Sequence, residues 1–120
     1  MPARTADRRA EQLAKAIPVF AALGEPVRLS IVARLSSEGP LPTIQLTQST
    51  NVSRQAVTKH LRMLEDVGLV RSDRVGRDRL WRIETHQLTK IRKYLDQISA
   101  QWDSRLDRLR MLVESDGRSR

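Results

Sequence analysis

The residues whose types and spacing suggest chemistry lie between Ser53 and Leu64, in the order Ser53-Arg54-Gln55-Ala56-Val57-Thr58-Lys59-His60-Leu61-Arg62-Met63-Leu64. At helical spacing, Ala56, Val57, Leu61 and Leu64 fall on one apolar face. Arg54, Gln55, Thr58, Lys59 and Arg62 are left on the other, related by i, i+3, i+4 and i+7 steps. Arginine can bond guanine at two points, glutamine can do so with adenine, and threonine offers a methyl to thymine or a hydroxyl to phosphate. Such a face is either an ordinary solvated surface or one that reads the major groove. Arg74, Arg77 and Arg79 crowd around Gly76 and form a second arginine-rich group, suited to sugar-phosphate or the adjacent minor groove. Residues 53–82 hold eight basic and four acidic residues, so a quarter of the 120-residue chain carries half of its formal net charge of +8.

Other chemistry lacks the residues to carry it. The chain has no cysteine, which excludes disulfides, thiolate metal sites and cysteine nucleophiles together. Two histidines, without a Ser-x-x-Lys, Gly-x-Ser-x-Gly or Gly-x-Gly-x-x-Gly pattern, assemble no catalytic or phosphate-cradling constellation. No enzymatic activity, cofactor or metal is expected. The pI near 11.2 puts an anionic partner first, and double-stranded DNA leads that class. No window of about 18 apolar residues is present, and no apolar run follows the arginines of Met1 to Arg9, so neither a membrane span nor a secretory signal is expected. The expected location is the cytoplasm, on the nucleoid.

These side chains need elements to position them. Residues 1–7 and 115–120 are small, polar or charged and are expected to be a disordered arm and tail flanking a single domain, 8–114. Leu13, Ile17, Phe20, Ala21 and Leu23 predict a first helix that Pro18 kinks or divides and Gly24 ends. Pro26 suits the first turn of a second helix, in which Val27, Ile31, Val32 and Leu35 keep the period until Ser36, Ser37 and Gly39. Pro40 and Pro42 bracket an extended Leu41. Thr43 is the expected N-cap of a short third helix reaching about Thr50, closed by a left-handed Asn51. Ser53 caps the fourth helix and Gly68 ends it, so 43–67 reads as helix, tight turn, helix.

Val70–Val75 and Arg79–Ile83, joined through Gly76, Arg77 and Asp78, read as a two-stranded ribbon within 69–83. The last segment, 87–114, has apolar residues at Leu88, Ile91, Leu95, Ile98, Trp102, Leu106, Leu109 and Val113, spaced by 3, 4, 3, 4, 4, 3 and 4. That is nearly four heptads of seam. The stripe could line an apolar effector pocket, but a helix of this length with an apolar edge is more simply one side of a dimer. The fold class is therefore mainly α with a small antiparallel β-wing.

The order of these elements resembles a winged helix-turn-helix domain of the ArsR type. Leu23-Gly24-Glu25-Pro26-Val27-Arg28-Leu29-Ser30-Ile31 is similar to that family's opening Leu-x-Asp-Pro-x-Arg-x-x-Ile-Leu pattern. Ser53 to Leu61, followed by Leu64 and Val67-Gly68-Leu69-Val70, resembles its recognition-helix signature, and Gly76 to Ile83 its wing. The likeness covers about residues 13–114. It implies a dimeric bacterial transcriptional regulator, usually a repressor whose operator lies near its own gene. By the same resemblance Leu13, Ile17 and Phe20 on the first helix, with Leu88, Ile91, Leu95, Ile98, Trp102, Leu106 and Leu109 on the last, are the dimer interface, and His60 is a packed or backbone-bonding histidine.

Three departures bear on mechanism. Glu25 stands where the family has Asp and is expected to cap less well. Thr43-Ile44-Gln45-Leu46-Thr47 carries no thiolate where metal-sensing members carry cysteines. Glu84-Thr85-His86 keeps half of a second family metal site, but Gln97 and Ala100 occupy the other half, leaving too few ligands for four-coordinate zinc. The expected function is a homodimeric repressor on an inverted-repeat operator. Arg54, Gln55, Thr58 and Lys59 would read bases, with Ser53 at the helix start; Arg62, Arg74, Arg77 and Arg79 would hold phosphates. A small organic effector, or none, stays open, and the alternative function is a protein-interaction module on the same fold.

Overall fold

The computed structural model describes the backbone of residues 2–118 and the side chains of residues 8–116. Its elements in chain order are α1 (Pro2–Leu23), α2 (Pro26–Glu38), β1 (Leu41–Pro42), α3 (Thr43–Gln48), α4 (Arg54–Asp66), β2 (Val70–Val75), β3 (Asp78–Ile83) and α5 (Thr85–Arg118). One compact unit ends at Leu88 and a second begins at Thr89, so the expected domain 8–114 spans both. A helix closes its own backbone hydrogen bonds, and the long remainder of α5 forms a unit by itself.

α1 starts on a proline, whose missing N–H is no loss in a first turn, and runs unbroken through the exposed Pro18. The expected division does not occur, because the one carbonyl Pro18 leaves unbonded lies on a wet side of the helix. Residues 2–7 also belong to α1, and residues 115–118 to α5, where an arm and a tail were expected. Good helix formers such as Ala3, Arg4 and Ala6 let the helix propagate outward. Met1 and residues 119–120 lie outside the described residues, as do the side chains of residues 2–7 and 117–118.

α2 is capped at both ends. Glu25 Oε2 accepts the backbone N–H of Arg28 at 2.8 Å, and Gly39, at φ 83°, donates its N–H to Leu35 O at 3.1 Å. α3 differs from expectation at both ends. Its N-cap is Pro42, with no side-chain cap bond, and Thr43 is instead buried with its hydroxyl turned to β3. Among the described residues only glycines have positive φ, so Asn51 is not left-handed. Ser49 Oγ and Thr50 Oγ1 donate to Leu46 O and Thr47 O at 2.9 and 3.0 Å. These bonds satisfy carbonyls that a left-handed closure would otherwise have to satisfy.

The sheet has three antiparallel strands in the order β1-β3-β2. The extended piece at Leu41 thus becomes a third strand beside the ribbon, with Leu41 opposite Trp81 and Pro42 opposite Leu80. Proline is tolerated there because β1 is an edge. Gly76 at φ 63° starts a two-residue turn with Arg77, and Asp78 is already in β3. In the first unit, Leu46, Val57, Leu61, Leu64, Leu69 and Val70 are wholly buried, joined by Ile31, Val32, Leu35 and Trp81. Full burial of one such aliphatic side chain contributes about 1.5–3 kcal/mol. α1 contributes Val19 and Ala22 to the buried set rather than the Leu13 and Ile17 edge, which stays exposed.

Candidate nucleic-acid interface

Position on α4 follows from its cap and its period. Ser53 Oγ accepts the N–H of Ala56 at 3.1 Å, as its place before the helix requires. Burying Val57, Leu61 and Leu64 leaves Arg54, Gln55, Lys59 and Arg62 exposed and Ala56 and Thr58 half-buried. Thr58 does not offer the expected donor, since its hydroxyl already donates to Arg54 O at 2.9 Å. A β-branched hydroxyl in a helix reaches the carbonyl one turn back, leaving its methyl and lone pairs outward.

α4 is rooted by Arg28 of α2. The Arg28 guanidinium donates from Nε to Ala22 O at 2.8 Å, lies 3.3 Å from His60 Nδ1 through Nη1, and reaches Met63 Sδ at 3.6 Å. His60 is half-buried as expected, but it is held by a side chain rather than by backbone. Because a guanidinium only donates, Nδ1 accepts, which assigns the ring proton to Nε2. Glu25 Oε2 lies 3.7 Å from the same Nδ1. The N–H of Arg28 holds the Glu25 carboxyl below the usual glutamate value against the desolvation that would raise it, with smaller help from the Val27 N–H and the nearby Arg28 charge.

In the ribbon, Arg74 is directly opposite Arg79, and Ser72 opposite Trp81, so all four share one face. Arg79 Nη1 donates to Ser72 Oγ at 3.0 Å, and Ser72 Oγ donates to Glu65 Oε2 at 3.4 Å, tying the wing to the end of α4. Arg71 and Arg82 are engaged by Glu84 at 2.9 Å and Asp73 at 3.3 Å. Among the described residues, Arg54, Lys59, Arg62, Arg74 and Arg77 have side chains in no hydrogen bond or ion pair. The unpaired cations of residues 53–82 are thus on α4 and the ribbon tip.

Between α4 and the wing lies a cleft of about 290 Å³, lined by Arg54, Thr58 and Arg62 from the helix and Arg77, Asp78 and Arg79 from the wing, with Thr43 and Trp81 beside Glu65. Position along the helix splits the polar residues into two rows. Arg54, Thr58 and Arg62 line the cleft; Gln55 and Lys59 do not. The sequence shows the helical period but not which row the wing covers.

Of the residues expected at a dimer interface, Leu13, Ile17, Leu95, Ile98, Trp102, Leu106 and Leu109 are exposed, Phe20 and Leu88 half-buried and Ile91 buried. No group of three or more histidine, aspartate or glutamate side chains among the described residues is placed to hold a metal ion. No single helix among them is long and apolar enough to cross a membrane.

Residues 23–73 match the family model described as a helix-turn-helix domain. The chain is 33% identical over 96 residues to the HTH-type transcriptional regulator Rv2034 of Mycobacterium tuberculosis, a match spanning 80% of this chain and 86% of that one. It is similar to the ArsR-like transcriptional regulator from Rhodococcus sp. RHA1, with a TM-score of 0.74 and 36% identity over 88% of this chain and 96% of that one. It also resembles a homodimeric winged helix-turn-helix DNA-binding domain from Mycobacterium bovis, described as a possible ArsR-family regulator. That match has a TM-score of 0.61 and 26% identity, covering 79% and 86% of the two chains.

Proposed function

Because the chain belongs to the ArsR-type family of winged helix-turn-helix transcriptional regulators and is a DNA-binding regulator, we propose that it acts as a homodimeric repressor on an inverted-repeat operator. The observation that carries this reading is that, within residues 53–82, the unpaired cations Arg54, Lys59, Arg62, Arg74 and Arg77 lie on α4 and the adjoining wing tip. An arginine whose charge is already matched within the protein gains less from a phosphate than one left open.

Roles divide along the two rows of α4. Gln55 and Lys59, with Arg54 at the helix start, read base edges in the major groove, where the N-terminal part of a recognition helix meets them. Thr58 contributes its methyl rather than a donated bond. Arg62, Arg74, Arg77 and Arg79 hold phosphates and set the register of the readers.

Two copies are supported by exposed apolar side chains on α5 and on the outer edge of α1. Leu95, Ile98, Trp102, Leu106 and Leu109 are each more than 40% exposed, and Leu13 and Ile17 likewise. A helical stripe of this kind is unstable in water without a partner, and the M. bovis relative is homodimeric. A twofold pair sets two recognition helices about 34 Å apart, one turn of DNA, and so asks for an inverted repeat. Repression follows from a dimer that occupies the promoter.

Genomic DNA selection by the purified protein at physiological salt, followed by sequencing, tests this reading. An enriched inverted repeat with half-sites one turn apart is the expected result. Enrichment no better than bulk DNA would overturn sequence-specific regulation and favour an interaction module. Sedimentation of Trp102→Glu should show a shift from dimer to monomer.

A further inference from the structure

We propose that the cleft between α4 and the wing seats a single DNA phosphate, gripped at once by Arg62 of the helix and by Arg77 and Arg79 of the wing. The inference deepens the reading of this face as the DNA surface and rests on it.

The polar groups on the floor of the cleft each have a partner within the protein. The Trp81 N–H is given to Thr43 Oγ1, and the Thr58 hydroxyl donates to Arg54 O. The two carboxylates are also engaged, Asp78 Oδ1 by the N–H of Arg79 at 2.7 Å and Glu65 Oε2 by Ser72. Neither closes on Arg62 or Arg77. What remains on the cleft walls is a set of guanidinium donors arriving from two elements. Four guanidinium groups against two carboxylates leave the lining positive.

The ribbon register adds an independent observation. Arg74 and Arg79 are direct cross-strand partners, an arrangement that is unfavourable between like charges unless an anion lies near them. A phosphodiester is a tetrahedral monoanion with two unesterified oxygens, and it accepts forked guanidinium bonds from more than one side. A phosphate in the cleft would therefore lock helix and wing onto one strand together. The register of Gln55 and Lys59 in the groove would then depend on the wing.

Salt-dependent binding of a duplex to the full chain tests this, using Arg62→Ala, Arg77→Ala and the double variant. Both side chains are exposed and unpaired among the described residues, so unchanged thermal unfolding is expected; Arg62→Gln and Arg77→Gln serve as a second pair. The slope of log Kobs against log salt falls by about 0.9 for each phosphate of B-DNA that the protein no longer neutralises. With a shared phosphate the double variant loses at most about 0.9 in total, because only one phosphate can be lost however many of its arginines are removed. A loss in the double variant of twice that size would assign two separate phosphates and overturn the proposal. If the unaltered protein failed to bind duplex at all, the DNA-surface reading would fall first and this inference with it.

Discussion

The indole N–H of Trp81 donates to Thr43 Oγ1 at 2.9 Å, and both residues are buried. The bond joins the first residue of α3 to the middle strand of the sheet, next to the pairing of Leu41 with Trp81. It therefore holds the helix-turn-helix and the wing at one setting. Thr43→Val keeps the shape but strands a buried N–H, a loss of about 1–3 kcal/mol. Trp81→Phe in the Thr43→Val background removes the stranded donor as well. Urea unfolding of the two singles and the double should show a coupling of the order of 1 kcal/mol; additive losses would mean that the bond does not hold the two elements together.

Glu25 predicts an acid-side loss of stability. Its carboxylate caps α2, and the N–H of Arg28 holds its folded pKa below the ordinary value. A depressed carboxyl contributes stability that is fully present above the unfolded pKa and lost as pH falls through the folded one. The difference in unfolding free energy between the native chain and Glu25→Gln should therefore be largest near neutrality and shrink as the solution is acidified below the ordinary glutamate range. A difference that stayed flat down to the acid limit of folding would separate the cap from its charge.

Local signals in the sequence revealed most of the candidate site, and tertiary ones were hidden. Ser53, the period of Val57, Leu61 and Leu64, and the glycines at 68 and 76 announce α4 and the ribbon, because caps and turns are decided within a few residues. Thr43 reads as a cap by the same logic, yet Trp81, 38 positions away, takes its hydroxyl. Asn51 was expected to close α3, but Ser49 and Thr50 satisfy that helix end. The buried edge of α1, Val19 with Ala22, is indistinguishable by period from the Leu13 and Ile17 edge until α2 is packed against it. Arg28, spanning Ala22, His60 and Met63, has no local signature, and neither does the row of α4 that the wing covers.

Gly68 and Gly76 both require positive φ, at 79° and 63°, but they differ in what a side chain would meet. At Gly76 a Cβ meets nothing within 4 Å, so Gly76→Ala should cost only the left-handed strain, about 1–2 kcal/mol. At Gly68 the Cβ would come to 3.3 Å from Gln87 Cγ. Gly68→Ala should therefore lower the unfolding temperature more than Gly76→Ala. Adding Gln87→Ala should recover the difference between them; if it does not, crowding against Gln87 is not what separates the two sites.

Arg28 is expected to act on DNA recognition without touching DNA. One guanidinium ties the end of α1, through Ala22 O, to His60 and Met63 of α4. Arg28→Leu keeps much of the apolar stem and removes these bonds, leaving the Ala22 carbonyl and His60 Nδ1 to find water. The expected cost is about 1–3 kcal/mol in stability, because the bonds are charge-assisted and half-buried. The more telling readout is specificity. With α4 less firmly rooted, the ratio of operator to bulk-DNA affinity should fall, while the salt slope, which counts phosphates, stays near that of the native chain. Arg28→Lys should recover little, since an ammonium cannot span the three partners from one planar group. A variant that lost slope and specificity together would instead place Arg28 at the phosphate backbone.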